Sequence, residues 1–344
     1  MNNLQMHYGF FIPDHSHCRV AQLTYDNYIN GSGFSGTEAS LLEIAYGLEK
    51  RGHKITIVTA ETDKSVFASL DFFTPLFFLT SAVKQWVPLL RHDCIVAVWL
   101  HCYVPDTALR EFKSIVAPRR FILIAVSDTV ARHVFGIAPV HVVPNGINKA
   151  VWTAPLRIAR GKHHVFIATY ERGGVIAAVV ARKLGKKLAI ASYYHQHGIS
   201  NPIPSLSKRD VRGLLETADI FVYPLVLPNG SVHHDTYACC VHEAMASGVI
   251  VVTWDVACFR DVYPPDLLVL VPPLPFKGYN PRGRSGVNPA LASAEAVARL
   301  CDAVVALDRD PLRKESIRAR AREWALKNTW DESVDAFTSA MIVV

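Results

Sequence analysis

Val165-Phe166-Ile167-Ala168-Thr169, a helical period from Gly173 to Leu184, and Leu188 to Tyr194 together read as one β–α–β unit. Both flanking runs are apolar at consecutive positions, as strands are when helices cover both faces of a parallel sheet. Toward the carboxy terminus the alternation continues. A helix from Lys208 to Thr217 has Ser207 as its cap, and strand Ile220 to Tyr223, a helix around Glu243 to Ser247 and strand Val249 to Trp254 follow. Toward the amino terminus lie apolar strands at Val140 to Val143, Phe121 to Val126, Cys94 to Leu100 and Lys54 to Thr59. A helix from Thr37 to about Arg51 precedes these, with Leu41, Ile44, Ala45 and Leu48 on one face. Val20 to Tyr25 is read as the first strand, with Tyr8 to Ile12 competing for that place. Such alternation predicts an α/β chain with two doubly wound parallel sheets. Asn148 to Gly161 lacks a period and reads as the connection between them. Pro264 to Pro289, rich in Pro, Gly and Arg, reads as a loop interrupting the second half. At the end, Thr329-Trp330-Asp331-Glu332 has capping-box spacing, and Trp330, Val334, Phe337 and Met341 share the face of the helix that follows.

Composition agrees with two buried cores. Of 344 residues half are apolar and 19% are charged, which excludes a disordered chain. The length fits two domains. No run reaches the ~18–20 apolar residues of a membrane span; Phe72 to Leu90 comes nearest but is broken by Pro75, Ser81, Lys84, Gln85 and Pro88. The start lacks a basic region followed by an apolar core, and seven cysteines without a C-x-x-C pair suit free thiols in a reducing cytoplasm. The net charge of +6 allows an anionic ligand or peripheral contact with an anionic membrane, and does not call for nucleic acid.

Gly31-Ser32-Gly33-Phe34-Ser35-Gly36 matches the dinucleotide G-x-G-x-x-G pattern, with Glu61 at the end of the next strand. Asp26 to Asn30 separate it from the nearest strand, however, whereas a dinucleotide turn needs its first glycine directly after one. An NAD-dependent oxidoreductase is therefore a minor alternative. A glycine loop opening a helix remains a natural anion site, because the first N–H groups of a helix point outward.

Gly33 to Ala45, with Lys50 to Thr59 after it, resembles the amino-terminal segment of family-4 retaining glycosyltransferases of the GT-B fold. Asp235-Thr236-Tyr237-Ala238-Cys239-Cys240-Val241-His242-Glu243-Ala244-Met245-Ala246-Ser247-Gly248 resembles that family's paired-carboxylate segment. Tyr170-Glu171-Arg172-Gly173-Gly174 is similar to its E-K-G element, and Asp219 to Pro224 to the strand before the carboxylate loop. Ala125 to Ala131 and Val142 to Ile147 resemble its closing strand, helix and turn.

The resemblance implies two Rossmann-like domains facing a cleft. These are an acceptor-side domain over 1–150, with a terminal helix over about 329–344 packing back on it, and a nucleotide-sugar domain over 155–328. It implies a donor diphosphate near Gly33, Gly36 and Thr37 on one side and near Arg172 and Gly173 on the other, with the ribose on Glu243. It implies donor-sugar contacts from Asp235, where the family usually has Glu, and from His101. A second cation that the family commonly carries falls at Ile167 here, so that contact is missing. Tyr193, Tyr194 and His195 follow a strand where a base could stack.

The activity implied is retaining transfer of a sugar from a nucleoside diphosphate sugar to a hydroxyl of a glycan, lipid or other acceptor. No cofactor or metal is expected, since the paired histidines lack zinc spacing. A nonenzymatic sugar-nucleotide-binding subunit and an epimerase of the same architecture stand as alternatives.

Overall fold

The computed structural model describes residues 6–12, 24–31, 36–59, 74–77, 95–101, 103, 110–111, 114, 120–136, 139–153, 165–169, 172–191, 206–227, 230–233, 235–256, 258–280 and 287–342. The chain divides into two compact units. One comprises 1–28, 34–146 and 330–344; the other comprises 29–33 and 147–329.

The first unit is built on strands β1 (His7–Ile12), β2 (Lys54–Thr59), β3 (Thr74–Phe77), β4 (Ile95–Leu100), β5 (Arg120–Ala125) and β6 (Val140–Val142). They pair in parallel in the order β2-β1-β3-β4-β5-β6. Val96 to Leu100 are buried at every position, as are Ile122 to Val126, which is the signature of a sheet covered on both faces. The first strand is the competing candidate. His7–Ile12 pairs along its whole length with Lys54–Thr59; of the stretch from Val20 to Tyr25, residues 20–23 lie outside the described residues, and Tyr25 begins a short helix, α1 (Tyr25–Asn30). Helix α1 leads directly up to Gly31, where a dinucleotide glycine turn would need a strand. Helix α2 (Gly36–Lys50) buries Leu41, Ile44, Ala45 and Leu48, the stripe its periodicity predicts. Helix α3 (Asp128–Val134) is capped by Ser127.

The second unit begins with α4 (Lys149–Trp152), inside the stretch read as connection. Strands β7 (Val165–Thr169), β8 (Lys187–Ala191), β9 (Ala218–Tyr223), β10 (Ile250–Trp254) and β11 (Val269–Val271) form an all-parallel sheet ordered β11-β10-β9-β7-β8. Between them run α5 (Gly174–Lys183), α6 (Lys208–Glu216), α7 (Cys239–Ala246) and α8 (Phe259–Val262). Two expectations are corrected here. The segment from Pro264 to Pro289 is no mere loop, because β11 within it pairs Val269, Leu270 and Val271 with Val252, Thr253 and Trp254. Glu243 does not open its helix but is the fifth residue of α7, which starts at Cys239.

Two long helices, α9 (Ala294–Arg309) and α10 (Pro311–Lys327), complete this unit, capped by Ser293 and Asp310. Lys314 and Arg318 of α10 grip Asp219 at the start of β9, at 2.6 and 2.5 Å. Burial alone would raise that carboxyl; the two cations hold it below its ordinary range. His242 of α7 is fully buried, and its Nε2 lies 3.1 Å from the Ala325 carbonyl. A carbonyl only accepts, so Nε2 carries the proton and Nδ1 accepts from the Tyr237 hydroxyl, 3.1 Å away.

Burial pushes His242 down to about 4 from 6.5. The unfolded chain then binds a proton there between those values and the folded chain does not, so stability falls as pH drops through that window. The expected loss is on the order of 3 kcal/mol by pH 4. Urea midpoints measured from pH 7 to pH 4 should decline less steeply for His242→Gln than for the unsubstituted chain.

Helix α11 (Trp330–Ile342) belongs to the first unit, and packs on α2. Gly47 is what permits the approach, since a Cβ there would meet Val334 Cγ2 at 2.5 Å. The Phe337 ring stacks on Phe10 and meets Tyr8 and Trp99, with centroids 6.0, 6.2 and 6.0 Å away. Arg51 of the turn after α2 pairs with Asp335 at 2.8 Å.

Candidate functional site

The strand order of the second sheet marks where a ligand belongs. After β7 the chain steps to β8 on one side, then crosses to β9 on the other. In an open parallel sheet the connections leaving two such strands part, and the crevice beyond their carboxyl ends binds ligands. Arg172 follows β7 there, and Asp235 follows β9.

The turn after β7 is tightly determined. Gly173 has φ +98°, and a Cβ on it would lie 2.9 Å from the Val226 carbonyl oxygen and 3.0 Å from Pro224 Cγ. Leu225, itself at φ 57°, donates its N–H to the Arg172 carbonyl at 2.9 Å. The turn after β7 and the segment after β9 are thus fastened together, and α5 starts directly beyond. Gly173→Ala combines a left-handed φ with a backbone clash. It should cost about 2 kcal/mol or more, read as a lower urea midpoint.

Arg172 Nε donates to Asp235 Oδ1 at 3.1 Å, and the Tyr223 hydroxyl donates to Oδ2 at 2.6 Å. Both carboxylate oxygens are therefore engaged within the protein. Tyr223 ends β9 almost fully buried. Burial first, and then the neighbouring Asp235 carboxylate, keep its hydroxyl protonated well above the ordinary tyrosine range. Eight residues beyond Asp235, Glu243 forms the second pair: Lys208 Nζ donates to Glu243 Oε1 at 2.5 Å. Side-chain exposure is 17% for Lys208 and 11% for Glu243. One loop and helix, between β9 and β10, thus present two carboxylates, and each holds a cation from a different neighbouring connection.

The remaining candidates are placed as follows. Gly36 and Thr37 are the first residues of α2, where the Gly36 carbonyl accepts from Ser40 Oγ at 2.7 Å. Ser40 Oγ also lies 3.0 Å from the Asn145 side-chain amide, a contact that ties the helix start to the Pro144-Asn145-Gly146 turn. Gly33 lies outside the described residues, as do Tyr193, Tyr194 and His195. His101 follows β4 in the first unit, its ring 4.6 Å from that of Trp99. Burial pushes it down to about 3, so it is a neutral imidazole at physiological pH. Ile167 lies within β7, its backbone opposite Ala189 and Phe221. The sequence reading missed Tyr223 and Lys208 as site residues. For Lys208 a signal existed: a cation at the first position of a capped helix opposes the helix dipole.

Among the described residues, no group of three or more His, Cys, Asp or Glu side chains could hold a metal ion. No helix among them is long and apolar enough to cross a membrane.

Two parallel doubly wound units of this construction are the GT-B fold, and solved structures of that fold match the chain along nearly its whole length. AviGT4, a glycosyltransferase involved in avilamycin A biosynthesis, is 15% identical with a TM-score of 0.54, covering 97% of this chain and 96% of its own. HepE from Anabaena, solved in complex with UDP-glucose, is 12% identical with a TM-score of 0.62, covering 98% and 100%. The catalytic domain of starch synthase IV from Arabidopsis thaliana, bound to ADP and acarbose, is 9% identical with a TM-score of 0.50, covering 93% and 100%. No protein-family model and no curated protein sequence matches the chain.

Proposed function

We propose that the protein is a glycosyltransferase that takes a nucleoside diphosphate sugar as donor and transfers the sugar, with retained anomeric configuration, to a hydroxyl acceptor. The observation that carries this reading is the pairing of Arg172 with Asp235 at the strand-order reversal of the second sheet, 3.1 Å apart, on a turn that only glycine closes. A guanidinium fixed there, beside the free N–H groups opening α5, suits a diphosphate. Glu243 takes the ribose hydroxyls. Asp235, with both oxygens engaged, aims the Arg172 side chain. The first unit, with His101 and the start of α2, is assigned the acceptor, a glycan or lipid-linked hydroxyl.

In this mechanism the departing diphosphate gathers negative charge while the sugar carbon becomes oxocarbenium-like. Preorganised positive charge at the leaving group lowers that barrier more than a strong base would. Arg172 and the N–H groups opening α5 supply the positive charge that the leaving group meets.

A thermal-shift screen of UDP-, GDP- and ADP-sugars tests the reading. A true donor raises the melting temperature with concentration, because it binds only the folded chain. Proton NMR of the product formed with a model acceptor then reads the anomeric outcome. Stabilisation by none of the donors, or a product of inverted configuration, would count against the respective part.

A further inference from the structure

The geometry points to Lys208 as the second cation of the nucleotide site, its ammonium bridging the Glu243 carboxylate and a phosphate oxygen of the donor. This rests on reading the second unit as the donor site.

Three observations converge on Lys208. It is the first residue of α6, where a positive charge faces the positive end of the helix dipole. That end is already served: Ser207 Oγ accepts from the Asp210 N–H at 3.1 Å, and donates to the Asp210 carboxylate at 2.6 Å. A lysine there does nothing for the helix. Its side chain is nevertheless only 17% exposed, whereas lysine side chains are seldom buried unless paired. The cost of placing it is met by Glu243, on a different helix and 35 residues away in sequence.

Its position is the right one. Helix α6 ends at Glu216 and β9 starts at Ala218, so α6 runs back along the sheet from the edge where the parallel strands end. Lys208 therefore stands toward the same edge as Arg172 and Asp235. The charge arithmetic also needs it. Arg172 and Asp235 cancel, as do Lys208 and Glu243, so the unliganded site carries no surplus charge from these four groups. When Glu243 accepts hydrogen bonds from ribose hydroxyls, its hold on the ammonium is shared, and the ammonium can donate to the adjoining phosphate. The carboxylate acts as a placeholder for an anion.

Calorimetric titration of the full chain with UDP, GDP and ADP selects the nucleotide that binds best. That nucleotide is then titrated into Lys208→Met, Lys208→Arg, Glu243→Gln and Lys208→Met/Glu243→Gln. Lys208→Met should weaken binding by about tenfold or more, and Lys208→Arg should recover most of it. The double variant decides between contact and mere positioning, and it leaves no unpaired buried charge should Lys208→Met alone fold poorly. If Lys208 touches phosphate, the double variant binds about tenfold more weakly than Glu243→Gln. If Lys208 only holds Glu243 in place, the two bind equally and the proposal is overturned. Failure of the unsubstituted chain to bind any of the three nucleotides would instead sink the donor-site reading, and this inference with it.

Discussion

Arg172→Ala is expected to lower donor turnover by about 10²–10³-fold, the effect typical of removing one preorganised group from a site of developing charge. The loss should fall on kcat as well as on kcat/KM, since charge on the departing diphosphate grows toward the transition state. A second consequence follows from the hydrogen bonds. Asp235 has 15% side-chain exposure, and without Arg172 it would keep, among the described residues, only the Tyr223 hydroxyl as a hydrogen-bond donor to its carboxylate. A buried carboxylate stripped of its cation is costly, so Arg172→Ala should also destabilise the fold. Adding Asp235→Asn should return stability without returning turnover. Steady-state donor consumption together with urea denaturation separates the two effects. Full turnover in Arg172→Ala would remove the guanidinium from the chemistry.

Phe337→Ala is the largest expected stability loss, about 3–5 kcal/mol. Phe337 is completely buried, and its ring contacts Phe10, Tyr8 and Trp99. Its removal opens a cavity between α11 and two strands of the first sheet, β1 and β4. Leu312→Ala is the control: that side chain is 86% exposed on α10, and its loss should stay within about 0.5 kcal/mol. Hydrogen exchange should locate the Phe337→Ala effect in β1 and β4. A change below about 1 kcal/mol would contradict the packing described for α11.

Much of this architecture is written in local pattern. Lys54–Thr59 is a strand at the residues its β-branched run marks, and Ser207 caps α6 as its position suggests. Parallel strands announce themselves because both faces are covered, so every position can be apolar. The failures have equally physical causes. Thr74–Phe77 is four residues long and contains Pro75, which has no N–H to donate; among the described residues it matches β1 only at Phe11 opposite Leu76. Helix α10 escapes periodicity because Pro311 to Lys327 is charged on most sides, and only Ile317, Ala321 and Ala325 are buried. Its arginines and lysine bond to groups such as Asp219, Asp266 and the Gly248 carbonyl that no sequence window contains.

The site divides in the same way. Arg172, Gly173, Asp235 and Glu243 are legible because turn, helix and carboxylate spacing lie within short segments. What each carboxylate binds is not legible, because Arg172 and Asp235 are 63 residues apart and Lys208 and Glu243 are 35 apart. Asp235, which the resemblance sets against the donor sugar, is hydrogen-bonded to Arg172 and Tyr223. Only the folded sheet brings those partners to one edge.

On the proposed function, the second unit holds a nucleoside diphosphate at the edge marked by Arg172 and Glu243. Calorimetric titration of one donor nucleotide into the unsubstituted chain and into Glu243→Ala tests it most directly. Saturable one-to-one binding is expected to the former, and binding weaker by about tenfold or more to the latter. Equal affinity for both would place the nucleotide elsewhere and contradict it.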